Sequence, residues 1–375
     1  MSIQIVQANT RALHKKFVMF PYHLYRKILK NKYWAPPLII SAMEILDPKK
    51  YPFYQHAEME KFLAFRNDEI VGRIAGIIDS QYHKYREKDV GYVGFFEAIN
   101  DPEVAGALFE AAREWLSSRG MKKAIGPISP TTNHILGCLQ NDFTGVPVIQ
   151  VPYNPDYYPG LWEANGFSKE KDHLAFVSRK EELALSDKIK RIVKLVRSNK
   201  RIQLRPVNMK KYHAEIMLAK ELYNKAWINN SDFVPWTDAE FDYMANDIKF
   251  VIIPELSFFA YVDGKPAGLS VAFKNFNEIF VKMNGRLLPT GIFKLLFGAK
   301  KITSIRLAIM GVIPEYRRMG LDALFVFETY ERGTSLGYTS SENSLVLEDN
   351  YELVNMLNNW GSKPYRTYRV YCRDL

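Results

Sequence analysis

Two stretches of this chain repeat each other at almost constant distance, and that repetition limits the folds open to it. Phe62 to Gly72 and Phe258 to Gly268 both read as an alternating apolar strand, a polar turn and a second strand entered through glycine, 196 residues apart. Near the end of each half, Leu161 to Phe167 parallels Met356 to Ser362, and the glycines Gly166 and Gly361 lie 195 residues apart. Two separated anchors with nearly one offset point to a duplicated unit. At 375 residues the chain also exceeds what one hydrophobic core organises.

Between the anchors each half carries a strand and then a helix closed by glycine. In the first half, Gly91 to Glu97 leads to Asp101 and Pro102, an N-cap and a first helical residue. Val104, Leu108, Trp115 and Leu116 follow at helical spacing, and Gly120 supplies the stop. In the second half, Ser304 to Val312 leads through Pro314 to a helix carrying Leu321, Leu324 and Phe325, closed by Gly337. The second copy holds a surplus around residues 284–301, and the first compensates with a longer loop from Gly126 to Asn154. Such an order gives an α/β fold, a mixed sheet in each of two domains. The expected division is a first domain over residues 1–178, a linker over 179–204 and a second domain over 205–375. Within the join, Ile189, Ile192, Val193 and Val196 share one face and cations the other, favouring a linker helix over a membrane-binding one.

The formal charge of +10 suits an anionic partner without choosing among polyphosphate, carrier protein, nucleic acid and membrane surface. No basic-aromatic recognition motif accompanies it, so nucleic acid is not expected. Two cysteines form no disulfide framework, the histidines show no metal-ligand spacing, and no Gly-x-Ser-x-Gly elbow occurs. The opening residues lack a charged flank before an apolar run, and no apolar stretch approaches a membrane span. A cytoplasmic setting is the expectation, with peripheral contact at the inner membrane face as a further one.

Chemistry concentrates in Gly311 to Phe325, where a strand runs into a basic, glycine-bearing turn that opens a helix. Backbone N–H groups at such a helix start attract anions, and Arg317 and Arg318 would add charge-assisted bonds to phosphate. The segment resembles the acyl-CoA loop of the GNAT superfamily, in which Arg/Gln-x-x-Gly-x-Gly/Ala follows a strand ending in Val-x-Pro. Val312, Pro314, Arg317 and Gly320 fit. The resemblance implies two tandem GNAT-like domains. It also implies a CoA pyrophosphate held by Arg317, Arg318, Met319, Gly320, Leu321 and Asp322, with pantetheine along Met310, Gly311 and Val312.

Two positions depart from that pattern. Asp322 stands where Gly or Ala is usual, and a carboxylate about 6 Å from a diphosphate at an effective dielectric near 20 costs roughly 3 kcal/mol. Leu357 stands where many relatives carry the tyrosine that protonates the departing thiolate. The candidate proton carrier is instead Glu342, on the strand expected beside the CoA-binding one, against the alternative of a charge at an exposed strand end. Asn350 would cap the next helix or touch the cofactor, and Tyr365 and Tyr368 are further donors or packing residues. The first copy offers Asn100 to Glu103, an acidic stretch, where the basic loop should lie. His134, in its long loop, would reach the cleft or serve as a hydrogen-bonded loop residue.

The surplus segment mixes Leu288, Ile292, Phe293, Leu296 and Phe297 with Arg286, Lys294, Lys300 and Lys301. It suits membrane contact, an acyl channel or plain packing. Gly72-Arg73-Ile74, Phe95-Phe96-Glu97, Gly126-Pro127, Tyr153-Asn154, Tyr157-Tyr158 and the segment Gly285 to Pro289 resemble a family of bacterial tandem GNAT-like proteins. Some relatives are linked to N-acylation of sphingoid bases. What this implies is an enzyme moving an acyl group from acyl-CoA, or from an acyl carrier protein, to a small-molecule or lipid amine, without a metal. The alternative is a non-catalytic acyl-CoA or lipid-binding module of degenerate GNAT fold.

Overall fold

Both repeated segments close as antiparallel hairpins through two-residue turns in the left-handed region. In the computed structural model, strands β1 (Gln4–Gln7), β2 (Ala57–Arg66) and β3 (Glu69–Asp79) open the first sheet, with Asn67 and Asp68 at φ 51° and 63° between β2 and β3. Asp263 and Gly264, at φ 50° and 75°, do the same between the strands Phe258–Val262 and Lys265–Lys274. The structure describes residues 2–183, 187–228, 230 and 233–375; residues 184–186 of the expected linker lie outside these. It forms two units, one of residues 1–173, 277–299 and 366–375, the other of residues 174–276 and 300–365. Each unit is thus discontinuous, whereas the repeat reading divides the chain in simple order.

In the first unit β3 pairs antiparallel with β4 (Val90–Ala98), and β4 runs parallel to β5 (Lys123–Gly126). Residues 371–374 of the C-terminal strand then pair with β5. Helix α1 (Arg11–His23) and the short α2 (Ile39–Ile45) precede the hairpin. Helix α3 (Pro102–Ser117) buries Val104, Leu108, Phe109 and Leu116 against the sheet. A Cβ at Gly72 would stand 2.6 Å from Leu108 Cδ1, so glycine there lets helix and strand meet. Helix α4 (Tyr158–Ala164) adds Trp162 to the same core, where its ring lies between those of Phe109, Phe167 and Tyr371.

The surplus segment packs with the first unit. Its Gly285 accepts a hydrogen bond from Ile39 N–H at 2.9 Å, and a Cβ on it would meet Tyr22 at 2.5 Å. Sequence order had placed this stretch in the second copy because periodicity follows the chain and carries no record of which core receives a segment. Its helix Gly291–Gly298 leaves Phe293, Leu296 and Phe297 exposed.

The second unit repeats the plan. Its strands are β6 (Ile202–Pro206), β7 (Phe258–Val262), β8 (Lys265–Lys274), β9 (Ser304–Val312) and β10 (Ser340–Leu347), in the sheet order β10-β9-β8-β7-β6. Helix α5 (Asp187–Ser198) lies in the expected linker and belongs to this unit, burying Ile189, Val193 and Val196 with Leu324 and Trp360. Its Ile192 and Leu195 face solvent. Helices α6 (Tyr212–Trp227), α7 (Asp238–Ile248), α8 (Leu321–Ser335) and α9 (Tyr351–Asn359) complete the unit. Among the described residues no helix is long and apolar enough to cross a membrane.

Register makes the duplication quantitative. Gly72 pairs with Ala98 and Arg73 with Glu97 in the first unit; Gly268 pairs with Val312 and Leu269 with Gly311 in the second. Both pairings break shortly afterwards, between Arg73 and Ala75 and between Val271 and Ala272, the mark of a bulge. Both parallel pairings then stop, the first at Tyr92 with Ile125 and the second at Leu307 with Asn343. Each unit therefore holds a bulged strand that parts from its parallel neighbour. Glu97 occupies the register position that Gly311 occupies in the other copy.

Candidate active site

In the second unit β9 ends at Val312, a single turn at Pro314–Tyr316 follows, and Gly320 opens α8 at φ 77°. Among the described residues no side chain caps α8, so its first amides are available to an acceptor. The equivalent helix α3 is closed differently. Asp101 accepts from the amides of Glu103 and Val104, and Arg66 pairs with both Asp101 and Glu103. One copy keeps an anion-ready helix mouth and the other fills it with its own carboxylate.

The expected loop residues divide by position. Arg317 donates to Ala226 C=O at 3.0 Å and to Val312 C=O at 3.4 Å, bracing the loop against α6. Arg318 and Asp322 are exposed. Leu321 is buried in the core formed by Phe258, Val262 and Phe325, against which Met310, Val312 and Met319 pack. Leu321 can serve a ligand through its backbone only, while the other three keep part of their surface exposed. Gly311 lies under the Trp227 ring, which a Cβ would meet at 2.3 Å, and Val196 of α5 stands 2.8 Å from the Cβ position of Gly320. Asn350 accepts from Leu353 N–H and caps α9.

Glu342 sits on β10 opposite Arg306, one residue before β9 and β10 part. It is buried rather than placed at an exposed strand end. Tyr365 O–H donates to its Oε2, while Oε1 has no partner among the described residues. A buried carboxylate oxygen left unpaired can accept a proton or a hydrogen bond. Tyr368, the other tyrosine considered, is wholly buried.

Leu357 is also fully buried, packed with Phe176 and Val346. A tyrosine has no room here: Leu357→Tyr is expected to destabilise the protein by about 1–3 kcal/mol through overpacking, without raising activity. A thermal melt beside an activity assay checks both halves.

Sequence reasoning missed a polar cluster in the first unit. Arg73, buried between the rings of Phe17 and Phe95, donates to Phe17 C=O and lies 4.0 Å from Glu97 Oε1. Tyr25 and Tyr158 both donate to Glu97 Oε2, at 2.9 and 2.7 Å. Burial pushes the Glu97 carboxyl up and Arg73 down, each held back by the other's charge. Beside them His134 bonds through Nδ1 to Ser129 C=O at 3.1 Å, and burial lowers its pKa. Arg73, Phe95, Glu97, Ser129, His134 and Tyr158 line a cavity of about 370 Å³ whose walls are otherwise largely apolar. The signal was present in Gly72-Arg73-Ile74 and Phe95-Phe96-Glu97, charges set inside apolar strands.

No protein-family model matches the chain. Among solved structures, it is similar to a tandem GNAT protein from the clavulanic acid biosynthesis pathway, with TM-score 0.59 and 12% identity over 100% of this chain and 98% of that one. A GCN5-related N-acetyltransferase from Sphaerobacter thermophilus superposes with TM-score 0.53 at 12% identity, covering 99% of this chain and 95% of that one. The fold is that of a tandem GNAT protein. Protein YghO of Escherichia coli K12 is 33% identical over 367 residues, 96% of this chain and 93% of its own. A bacterial ceramide synthase of Caulobacter vibrioides is 32% identical over 380 residues, 100% of this chain and 98% of its own. The chain belongs to the family of these two proteins.

Proposed function

We propose that this protein transfers an acyl group from acyl-CoA to a lipid amine of the sphingoid-base type, with the chemistry carried by the second unit. The supporting observation is Glu342, buried with a carboxylate oxygen unpaired where β9 and β10 part. The uncapped α8 mouth offers amides to a diphosphate, with Arg317 and Arg318 beside it. Backbone groups of Met310 to Val312 would lie along the pantetheine. The amine nitrogen attacks the thioester carbonyl carbon, the tetrahedral intermediate loses the C–S bond, and CoA leaves as a thiolate that takes a proton. Glu342 removes the proton released by the amine, held in place by Tyr365. A ceramide is an N-acylated sphingoid base, so the relative named bacterial ceramide synthase supports a lipid amine as acceptor. A carrier-protein thioester is the other donor to compare.

Asp322 limits such a donor site only weakly. It is exposed, so water rather than protein sets the dielectric, and its repulsion at about 6 Å falls to roughly 0.7 kcal/mol. Asp322→Asn is therefore expected to tighten acyl-CoA binding about threefold at low salt, and less as salt rises. Isothermal titration with acetyl-, octanoyl- and palmitoyl-CoA tests the reading, with palmitoyl-CoA expected to bind best and Arg317→Ala to weaken it. If no donor binds and Arg317→Ala changes nothing, the donor assignment is lost.

A further inference from the structure

We propose that the cavity of the first unit is a second ligand site, which takes the head and upper chain of a long-chain 2-amino alcohol. The proposal rests on the lipid-amine reading above for the chemistry of its ligand. Three observations carry it.

The cavity has the size and character of a small-molecule site. Its volume of about 370 Å³ falls within the range of about 300–1,000 Å³ usual for such pockets. Trp34, Ile45, Leu46, Ile149, Val151 and Phe280 supply apolar wall that an alkyl chain would cover.

Its polar end is built for a head that both donates and accepts. Glu97 Oε2 already takes two phenol hydrogens, while Oε1, 4.0 Å from Arg73, can accept from an ammonium or hydroxyl. The buried Arg73 guanidinium keeps an N–H without an acceptor, at Nε. Such a donor is costly to leave unmet, and an oxygen on the carbon next to an amine is placed to relieve it. His134, donating through Nδ1 to Ser129 C=O, presents Nε2 as an acceptor for a further hydroxyl.

Other occupants fit less well. An acyl-CoA needs a diphosphate site, and the neighbouring helix α3 closes its own N-terminus with Asp101 and places Glu103 in the first turn. A fatty acid would set its carboxylate beside Glu97, and Arg73 is already matched by that residue. A plain alkylamine would leave the Arg73 donor unmet.

The full-length protein is titrated with sphinganine, with palmitate and with palmitoyl-CoA in mixed micelles, followed by tryptophan fluorescence. Two variants accompany it: Glu97→Gln, which keeps an acceptor for both tyrosines, and Ala42→Phe, which fills cavity volume from α2. Sphinganine is expected to bind the wild type and to lose at least tenfold in affinity in each variant, while palmitoyl-CoA binding stays within twofold. Should Glu97→Gln fail to fold, Ala42→Phe decides alone. Palmitate binding as tightly as sphinganine, or sphinganine affinity unmoved by the variants, overturns the proposal. Sphinganine binding without any palmitoyl-CoA binding would sink the donor assignment and leave this site standing.

Discussion

Glu342→Gln is expected to slow acyl transfer about 10²–10⁴-fold, the usual contribution of a positioned general base. The substitution is nearly isosteric, and the amide oxygen still accepts from Tyr365, so the β10 backbone and the bond that orients the side chain persist. What disappears is the ability to take a proton. Donor affinity should hold, because Glu342 lies on β10 and the helix mouth is formed by Met319 to Leu321. Single-turnover assays with preloaded palmitoyl-CoA separate the two effects. A rate within threefold of wild type would make Glu342 a structural carboxylate and move the proton transfer elsewhere.

Glu97→Ala should have the largest effect on stability, about 3–5 kcal/mol, because it strips a buried cation of its counter-charge. Arg73 would keep only Phe17 C=O and the flanking rings, and Tyr25 and Tyr158 would lose their shared acceptor. Arg73→Met combined with Glu97→Leu removes both charges together and should recover part of that loss, leaving the two phenols as the remaining deficit. Urea unfolding of the two variants beside wild type gives the comparison. A loss below about 1 kcal/mol for Glu97→Ala would show that water reaches the pair and solvates Arg73.

The hairpins were legible because their signals are local. Asn67-Asp68 and Asp263-Gly264 demand left-handed turns, and alternation on either side fixes the strands. The glycines that end the repeated helices, Gly120, Gly166, Gly337 and Gly361, all adopt positive φ as their placement suggests. Leu357 could be recognised as a departure from the family's pattern, yet its burial with Phe176 and Val346 needed the packed core. The repulsion that Asp322 exerts is not legible in the sequence, because a sequence carries no dielectric. The placement of residues 277–299 in the first unit was hidden for the same kind of reason. Helical spacing shows that a segment has an apolar face and is silent on which surface covers it.

The amino-acid order alone settled that the chain is a duplicated strand-and-helix unit, and that only the second copy opens its helix on a basic, glycine-led turn. Both follow from interactions between residues close in the chain, where turn geometry and helix capping act. Tertiary structure alone decided that Arg73, Glu97, Tyr158 and His134 line a single cavity, and that Glu342 is buried with an oxygen unpaired. Those residues come from separate strands, a helix and a loop. The electrostatic value of each depends on strand register and on the exclusion of water, neither of which exists until the sheet has formed.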